Sequence, residues 1–480
     1  MTNLPVLSAG IHSHDDSMIV SHSNKTPLGL LPGKGPDIDY ELILDCVHCG
    51  LCTSACPTYV ETGDESDSPR GRIYLMRNVI DGQLALDDAV KGHLDLCLNC
   101  RACETACPSG VQYGKLIEPF RTYMGQLEPG RQTKELSGLQ RWLLFNVFPS
   151  RARTRLALAP ARLAQWTGLD WLMQKSGLLR LLPRKLQTMH GMLPPLKMHY
   201  GSLPELLPAE GKRRARVAMF LGCVADAIYP ETQIATARVL QKNGCDVLIP
   251  RGQQCCGALH YHAAREGPAR DLAAQNLAAF GFTGKALDDV DAVIINAAGC
   301  GAMIKDYGHL MHHTEHADAA QKFVAKSMDI SVFLAELGPV KPTHPLNIRA
   351  TYHDACHLRH AQQVATPPRK LLEMIPGLEL VPLSESEICC GAAGSYNLTQ
   401  PEMATALGDR KADHIRATGV KAVFMGNVGC LMQVARHLKK TAPDIWVAHT
   451  IDALWASYSG EMPRQLKGSF AITSSDESRR

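Results

Sequence analysis

The chain has 480 residues, enough for about three domains with hydrophobic cores of their own. Hydrophobic residues make up 45%, charged residues 20%, and the formal charge is only +3. This composition excludes a disordered or fibrous protein and gives no sign of a nucleic-acid partner.

No apolar run reaches the roughly eighteen residues of a spanning helix. The opening "MTNLPVLSAGIHSHDDSMIV" lacks the cationic start and apolar stretch of a secretory signal, so a cytoplasmic location is expected. Seventeen cysteines are odd in number and too dilute for a disulfide scaffold. Eight of them cluster at fixed spacing, which favours metal ligation in a reducing compartment.

Residues 1–40 and 459–480 are rich in small and polar residues without periodicity and read as mobile tails. Residues 41–125 contain "CVHCGLCTSACP" at 46–57 and "CLNCRACETACP" at 97–108. Both follow the C-x2-C-x2-C-x3-C-P spacing of two-cluster bacterial ferredoxins, in which thiolates hold cubane [4Fe-4S] centres. Two-residue gaps wrap a loop around one face of the cube, and the fourth thiol reaches across to the other centre. The expected ligand sets are Cys46, Cys49, Cys52 and Cys107 for one cluster, and Cys97, Cys100, Cys103 and Cys56 for the other. About eight irons and as many labile sulfides per chain follow. Zinc, the alternative, usually takes two well separated pairs and is disfavoured by this spacing. His48 is expected to be a solvated loop side chain or a modest tuner of potential rather than a ligand. Between the motifs, Ser68 and Pro69 offer an N-cap and a first-turn proline for a helix through "RGRIYLMRNVI", ending near Gly82.

Residues 126–212 form a linker whose stretch 141–200 carries ten Lys and Arg against one acid, Asp170, and holds Trp142, Trp166 and Trp171. Leu and Trp recur at helical spacing in "RLAQWTGLDWLMQKSGLLRLL", which predicts a basic amphipathic helix. Such a helix suits an anionic membrane surface or an acidic partner; packing on its own protein is the plainer alternative.

The chain then repeats itself, with module 1 at 213–340 and module 2 at 341–458. Cys223, Cys255, Cys256 and Cys300 in the first correspond to Cys356, Cys389, Cys390 and Cys430 in the second. Short β-branched runs alternate with helical stretches, predicting βαβ units, parallel sheets and cysteines just past strand ends. Gly257 and Gly391, closing each CCG, permit a sharp turn, and a helix N-terminus after it would favour thiolate charge. The eight thiols are a candidate third metal centre, an additional iron-sulfur centre or a redox-active dithiol; small buried hydrophobes are the alternative. Cys245 lacks a counterpart and reads as a core thiol. His309, His312, His313 and His316 read as solvated, whereas His353 and His357 bracket Cys356 and are candidates to support it. The expected fold is α+β and multidomain: a helical two-cluster ferredoxin-like domain, a basic helical linker and two α/β CCG modules.

The two ferredoxin motifs, the intervening "DSPRGRIYL", and the modules "CCGALHYH" and "CCGAAGSYN" resemble the iron-sulfur subunit of glycolate oxidase, over about residues 40–458. The resemblance implies a complex with flavin-containing subunits that oxidise glycolate to glyoxylate, and D-lactate to pyruvate. It also implies electron delivery to a respiratory acceptor, with quinone expected, and peripheral attachment to the inner face of the cytoplasmic membrane. Related modules occur in subunits of glycerol-3-phosphate and lactate dehydrogenases and in heterodisulfide reductase, the alternative assignments. There the last element reads CxxC. Here Ala297 or Met303, and Asn427 or Gln433, stand where the partner cysteine would be, which argues against disulfide-reducing chemistry. No G-x-G-x-x-G nucleotide fingerprint opens a helix after a strand, so no catalytic residue is assigned and the substrate site is expected on a partner chain.

Overall fold

A computed structural model describes residues 38–181, 187, 190, 191, 193–198, 201–283, 289–461, 463 and 466. The two expected tails, apart from a few flanking positions, and Arg184 and Lys185 of the basic count lie outside the described residues.

The N-terminal domain is helical. Ser68 accepts a hydrogen bond from the Gly71 amide at 3.0 Å and starts the helix Pro69–Ile80, as its sequence predicts. The helices Asp88–Leu96 and Gly114–Leu127 complete the unit, the latter running past residue 125. Met76, Leu94, Leu116 and Phe120 are completely buried between them.

The linker departs from the expected single amphipathic helix. After the helices Gly138–Trp142 and Arg151–Ala157, with a π-helical turn at Leu143–Val147 between them, the predicted stretch breaks into Ala159–Trp166, Leu169–Lys175 and a 3-10 turn at Leu178–Leu181. Gly168 and Gly177 interrupt it with φ of 79° and 78°, in the left-handed region where glycine alone carries no Cβ penalty. Leu144, Phe145 and Val147 are buried, whereas Leu156, Trp166 and Leu181 are all more than two-thirds exposed.

The first sheet comprises β1 (Leu206–Leu207), β2 (Ala215–Phe220), β3 (Cys245–Leu248), β4 (Ala292–Ile295) and β5 (Ser327–Asp329) in the order β1-β3-β2-β4-β5. Only β1, which precedes residue 213, is antiparallel to its neighbour. The second sheet comprises β6 (Ile348–Tyr352), β7 (Leu378–Val381), β8 (Ala422–Met425) and β9 (Trp446–His449), all parallel, in the order β7-β6-β8-β9. Without β1 the two orders are identical, so the sequence repeat is a repeat of topology.

The two sheets share one core. Val217, Met219, Val247 and Ile294 from the first pack in a single cluster with Ala350, Tyr352, Ala422 and Phe424 from the second. Cys245 is completely buried in this cluster, as a core thiol. The polar seam is equally shared: the Gly299 amide donates to Asn427 Oδ1 at 3.1 Å, and the Ala298 amide to the Gly426 carbonyl at 3.0 Å. Both last cysteines, Cys300 and Cys430, therefore stand in first helical turns that meet across the module interface.

Candidate metal centres

Cys46, Cys49, Cys52, Cys103 and Cys107 line one cavity of the N-terminal domain. Cys56, Cys97, Cys100 and Cys103 line a second. Cys103 lines both; counted with the second, it leaves each cavity three thiols from one motif and a fourth from the other. The loops need unusual backbone: His48, Gly50, Asn99 and Arg101 have φ of 53°, 84°, 50° and 59°. The φ of 84° at Gly50 lies in the left-handed region that favours glycine, and the adjoining Arg70 guanidinium donates to the His48 carbonyl at 3.3 Å. His48 itself is exposed.

The second cavity is buried: Cys56, Cys97 and Cys100 are each less than a tenth exposed. Burial pushes the thiols of Cys100 and Cys103 well above the ordinary range, and the neighbouring sulfurs add to it. Such thiols give up their protons only when a cation takes the charge, and the donor set fits a metal centre. Arg72, completely buried, stands beside it. Its Nη1 lies 3.9 Å from Cys56 Sγ and donates to Thr58 Oγ1 at 3.0 Å, while Nε donates to the His93 carbonyl at 2.7 Å. Burial opposes its charge, but Cys97, Tyr113, Cys56 and Asp67 together raise its pKa. The Asn99 amide donates to Cys97 Sγ at 3.3 Å, the kind of contact that tunes a sulfur ligand.

In module 1, Cys223 Sγ lies 3.3 Å from Cys255 Sγ; in module 2, Cys356 Sγ lies 3.8 Å from Cys389 Sγ. The four thiols of each module, drawn from three strand ends, gather as the repeat predicts. Gly257 and Gly391 have φ of 92° and 82°, and a Cβ on Gly391 would stand 2.8 Å from the Ala404 carbonyl. A helix follows the turn directly only in module 1, at Ala258–Tyr261; in module 2 the next helix begins at Tyr396, because "AAG" continues as turn. All eight CCG-module thiols line a single cavity of about 850 Å³, with Leu143, Leu144, Phe148 and Leu158 of the linker on its other wall.

The N-terminal domain is fastened against this cavity. Arg101 makes two hydrogen bonds to Asp306, at 3.2 and 2.6 Å, the Tyr396 hydroxyl donates to the Leu96 carbonyl at 2.7 Å, and His357 Nε2 meets the Asn99 carbonyl at 3.1 Å. Buried Glu118 bonds His262 Nδ1 at 2.8 Å. Cys100 of the second motif packs in one apolar cluster with Cys356 and Cys389 of module 2. Sequence reasoning missed Arg72, Asn99, Glu118 and Tyr396; only "DSPRGRIYL", quoted for its helix signals, contained a hint of the first. His309, His312 and His313 are exposed, as expected of a solvated cluster.

Comparison with known proteins agrees with this layout. The 4Fe-4S dicluster domain matches residues 43–111, the linker region of the glycolate oxidase iron-sulfur subunit matches 137–193, and the cysteine-rich domain matches twice, at 217–305 and 350–435. The chain is 40% identical over 402 residues to the probable glycolate oxidase iron-sulfur subunit of Bacillus subtilis, covering 82% of this chain and 88% of that one. It is 34% identical to the glycolate oxidase iron-sulfur subunit of Escherichia coli, over 81% of this chain and 89% of the relative. The lactate utilization protein A of Geobacillus kaustophilus is 31% identical over 241 residues, which is 50% of this chain and 98% of the relative. With its dicluster domain, its matched linker and its two cysteine-rich domains, this chain belongs to the family of glycolate oxidase iron-sulfur subunits.

Proposed function

We propose that the chain is the electron-transfer subunit of a flavin-linked glycolate dehydrogenase, passing electrons from a partner flavoprotein to a membrane quinone. Glycolate is the proposed donor because the relatives at 40% and 34% identity are named for its oxidation. In this reading Cys46, Cys49, Cys52 and Cys107 hold one [4Fe-4S] cluster, and Cys56, Cys97, Cys100 and Cys103 the other. When bound, such clusters accept and release single electrons. The chain's own residues hold the sites in line, exclude water from the second and balance its charge with Arg72.

The observation that carries the proposal is the sequence of sulfur sites: first cavity, second cavity sharing Cys103, then Cys356 and Cys389 against Cys100. Such a series is a path for electrons. Co-purification with the flavoprotein partner, followed by assay with glycolate, D-lactate and glycerol 3-phosphate, tests it. Glycolate-dependent reduction of the chain's visible chromophore is expected. Reduction by glycerol 3-phosphate alone would reassign the donor.

The linker supports contact with the membrane. Trp166, Trp171, Leu172 and Leu181 are exposed beside a run of Arg and Lys, and the adjoining 850 Å³ cavity has an apolar linker wall reaching the CCG thiols. An apolar carrier entering there would meet the last sulfur sites directly. Trp166→Ser combined with Trp171→Ser is expected to reduce co-sedimentation with anionic phospholipid vesicles about tenfold at low salt, as apolar burial and lipid charge act together. Unchanged sedimentation would place the contact elsewhere.

A further inference from the structure

The two modules bring the same four thiols together but surround them differently. Three residues before its first cysteine, module 1 has Phe220 where module 2 has His353; twenty-one residues after the cysteine pair, module 1 has Leu277 where module 2 has Lys411. Phe220 and Leu277 pack with Cys223, Cys255 and Cys256 in one apolar cluster. In module 2 both positions are polar and buried.

His353 is completely buried, and its Nδ1 lies 2.9 Å from the Ser386 carbonyl. A carbonyl only accepts, so Nδ1 carries the proton and Nε2 presents a lone pair. That atom has no hydrogen-bond partner. A buried polar atom left unpartnered is costly, and here it has company: the ligand atoms of His353, Cys390 and Cys430 all lie within 4.8 Å of one another. A single ion bound tetrahedrally, with sulfur at about 2.3 Å and nitrogen at about 2.0–2.1 Å, sets its ligands about 3.5–3.8 Å apart, so a small closure suffices. Asn427 Nδ2 stands 3.5 Å from Cys430 Sγ, placed to steady a thiolate. Burial works against the Lys411 ammonium, which is anchored to the Glu385 carbonyl, while the nearby sulfurs of Cys390, Cys389 and Cys430 favour it.

We propose that module 2 holds a single metal ion on His353 Nε2, Cys390 Sγ and Cys430 Sγ, distinct from the two N-terminal clusters. Module 1 cannot build this centre, having Phe220 in place of the imidazole. The mixed imidazole and thiolate set selects a borderline-soft divalent ion, Zn2+ or Fe2+. Three protein ligands leave a fourth position on the side of the cavity, which Cys356, Cys389, Cys390 and Cys430 all line.

The test is elemental and spectroscopic and needs no turnover. The full-length chain, prepared anaerobically, is analysed for iron, zinc and labile sulfide, as are His353→Phe, which installs the module 1 residue, and Cys430→Ala. The expected result is one metal ion per chain unmatched by sulfide, lost in both variants while the dithionite-reducible signals of the N-terminal clusters persist. Whether zinc or iron is lost identifies the ion. The unsubstituted chain provides a second measurement that no folding defect can obscure. X-ray absorption at the zinc edge, on the chain as purified or after exchange of a single iron ion for zinc, should show one nitrogen beside sulfur. Full metal retention in both variants, iron wholly matched by sulfide with no zinc, or a shell of sulfur alone would overturn the proposal.

Discussion

Replacing Cys56 by Ala is expected to abolish the cluster built on Cys97, Cys100 and Cys103 and to leave the cluster on Cys46, Cys49 and Cys52 intact. The mutated residue belongs to the first motif, so the outcome runs against proximity in sequence. The reason lies in the cavities: Cys56 stands beside Pro57, Thr58 and Arg72 around the same space as Cys97, Cys100 and Cys103, while Cys107 stands with Cys46, Cys49 and Cys52. Cys107→Ala should give the mirror result. Each variant should keep about half the iron and labile sulfide of the N-terminal domain. Low-temperature EPR of the dithionite-reduced protein distinguishes the survivors, because only the second cluster adjoins the buried Arg72 charge. Loss in each variant of the cluster belonging to its own motif would refute the crossed arrangement.

Replacing Arg72 by Met should have two separable effects. The guanidinium is the partner of the His93 carbonyl, of Thr58 and, at 3.4 Å, of buried Asp67. Removing one member of a buried charged network costs about 3–5 kcal/mol, a loss visible as a lowered apparent Tm. The second effect is electrical. A unit positive charge a few ångströms from a site, at an effective dielectric of about 20, shifts its potential by on the order of 100 mV. Its removal disfavours the more negative reduced cluster, so the potential of the centre at Cys56, Cys97, Cys100 and Cys103 should fall. Arg72→Lys provides the control. It keeps the charge but loses the fork that reaches three acceptors, so stability should drop while the potential stays near its original value. A redox titration followed by EPR reads the potential, and equal potentials in the Met and Lys variants would show that the charge is not felt.

Local regularities were legible in the sequence. Ser68 and Pro69 announced a helix start that the Gly71 amide satisfies, and the interval between cysteines announced two modules whose strand orders coincide. Cysteines at the ends of parallel strands followed from βαβ patterning alone. What was not legible depends on partners far away in the chain. β2, β4, β6 and β8 are buried on both faces, so their apolar runs say nothing of which face meets the other module; Met219 and Tyr352 join one core only in three dimensions. The linker misled for a different reason. Its leucines and tryptophans keep helical spacing across Gly168 and Gly177, but periodicity does not register that those glycines adopt left-handed backbone. Lys411 gave no pattern at all, and His353 was a candidate only through its place near Cys356, since a single buried polar residue acquires its role from whatever packs around it.

The most direct measurement on the central claim is the reaction of the intact complex with glycolate under anaerobic conditions, following the visible and EPR signals of this chain. The account predicts a brown protein with equal iron and labile sulfide in its N-terminal domain, whose clusters become reduced on adding glycolate only when the flavoprotein subunits are present. A colourless chain carrying zinc without sulfide, or clusters that stay oxidised while glyoxylate accumulates, would contradict it.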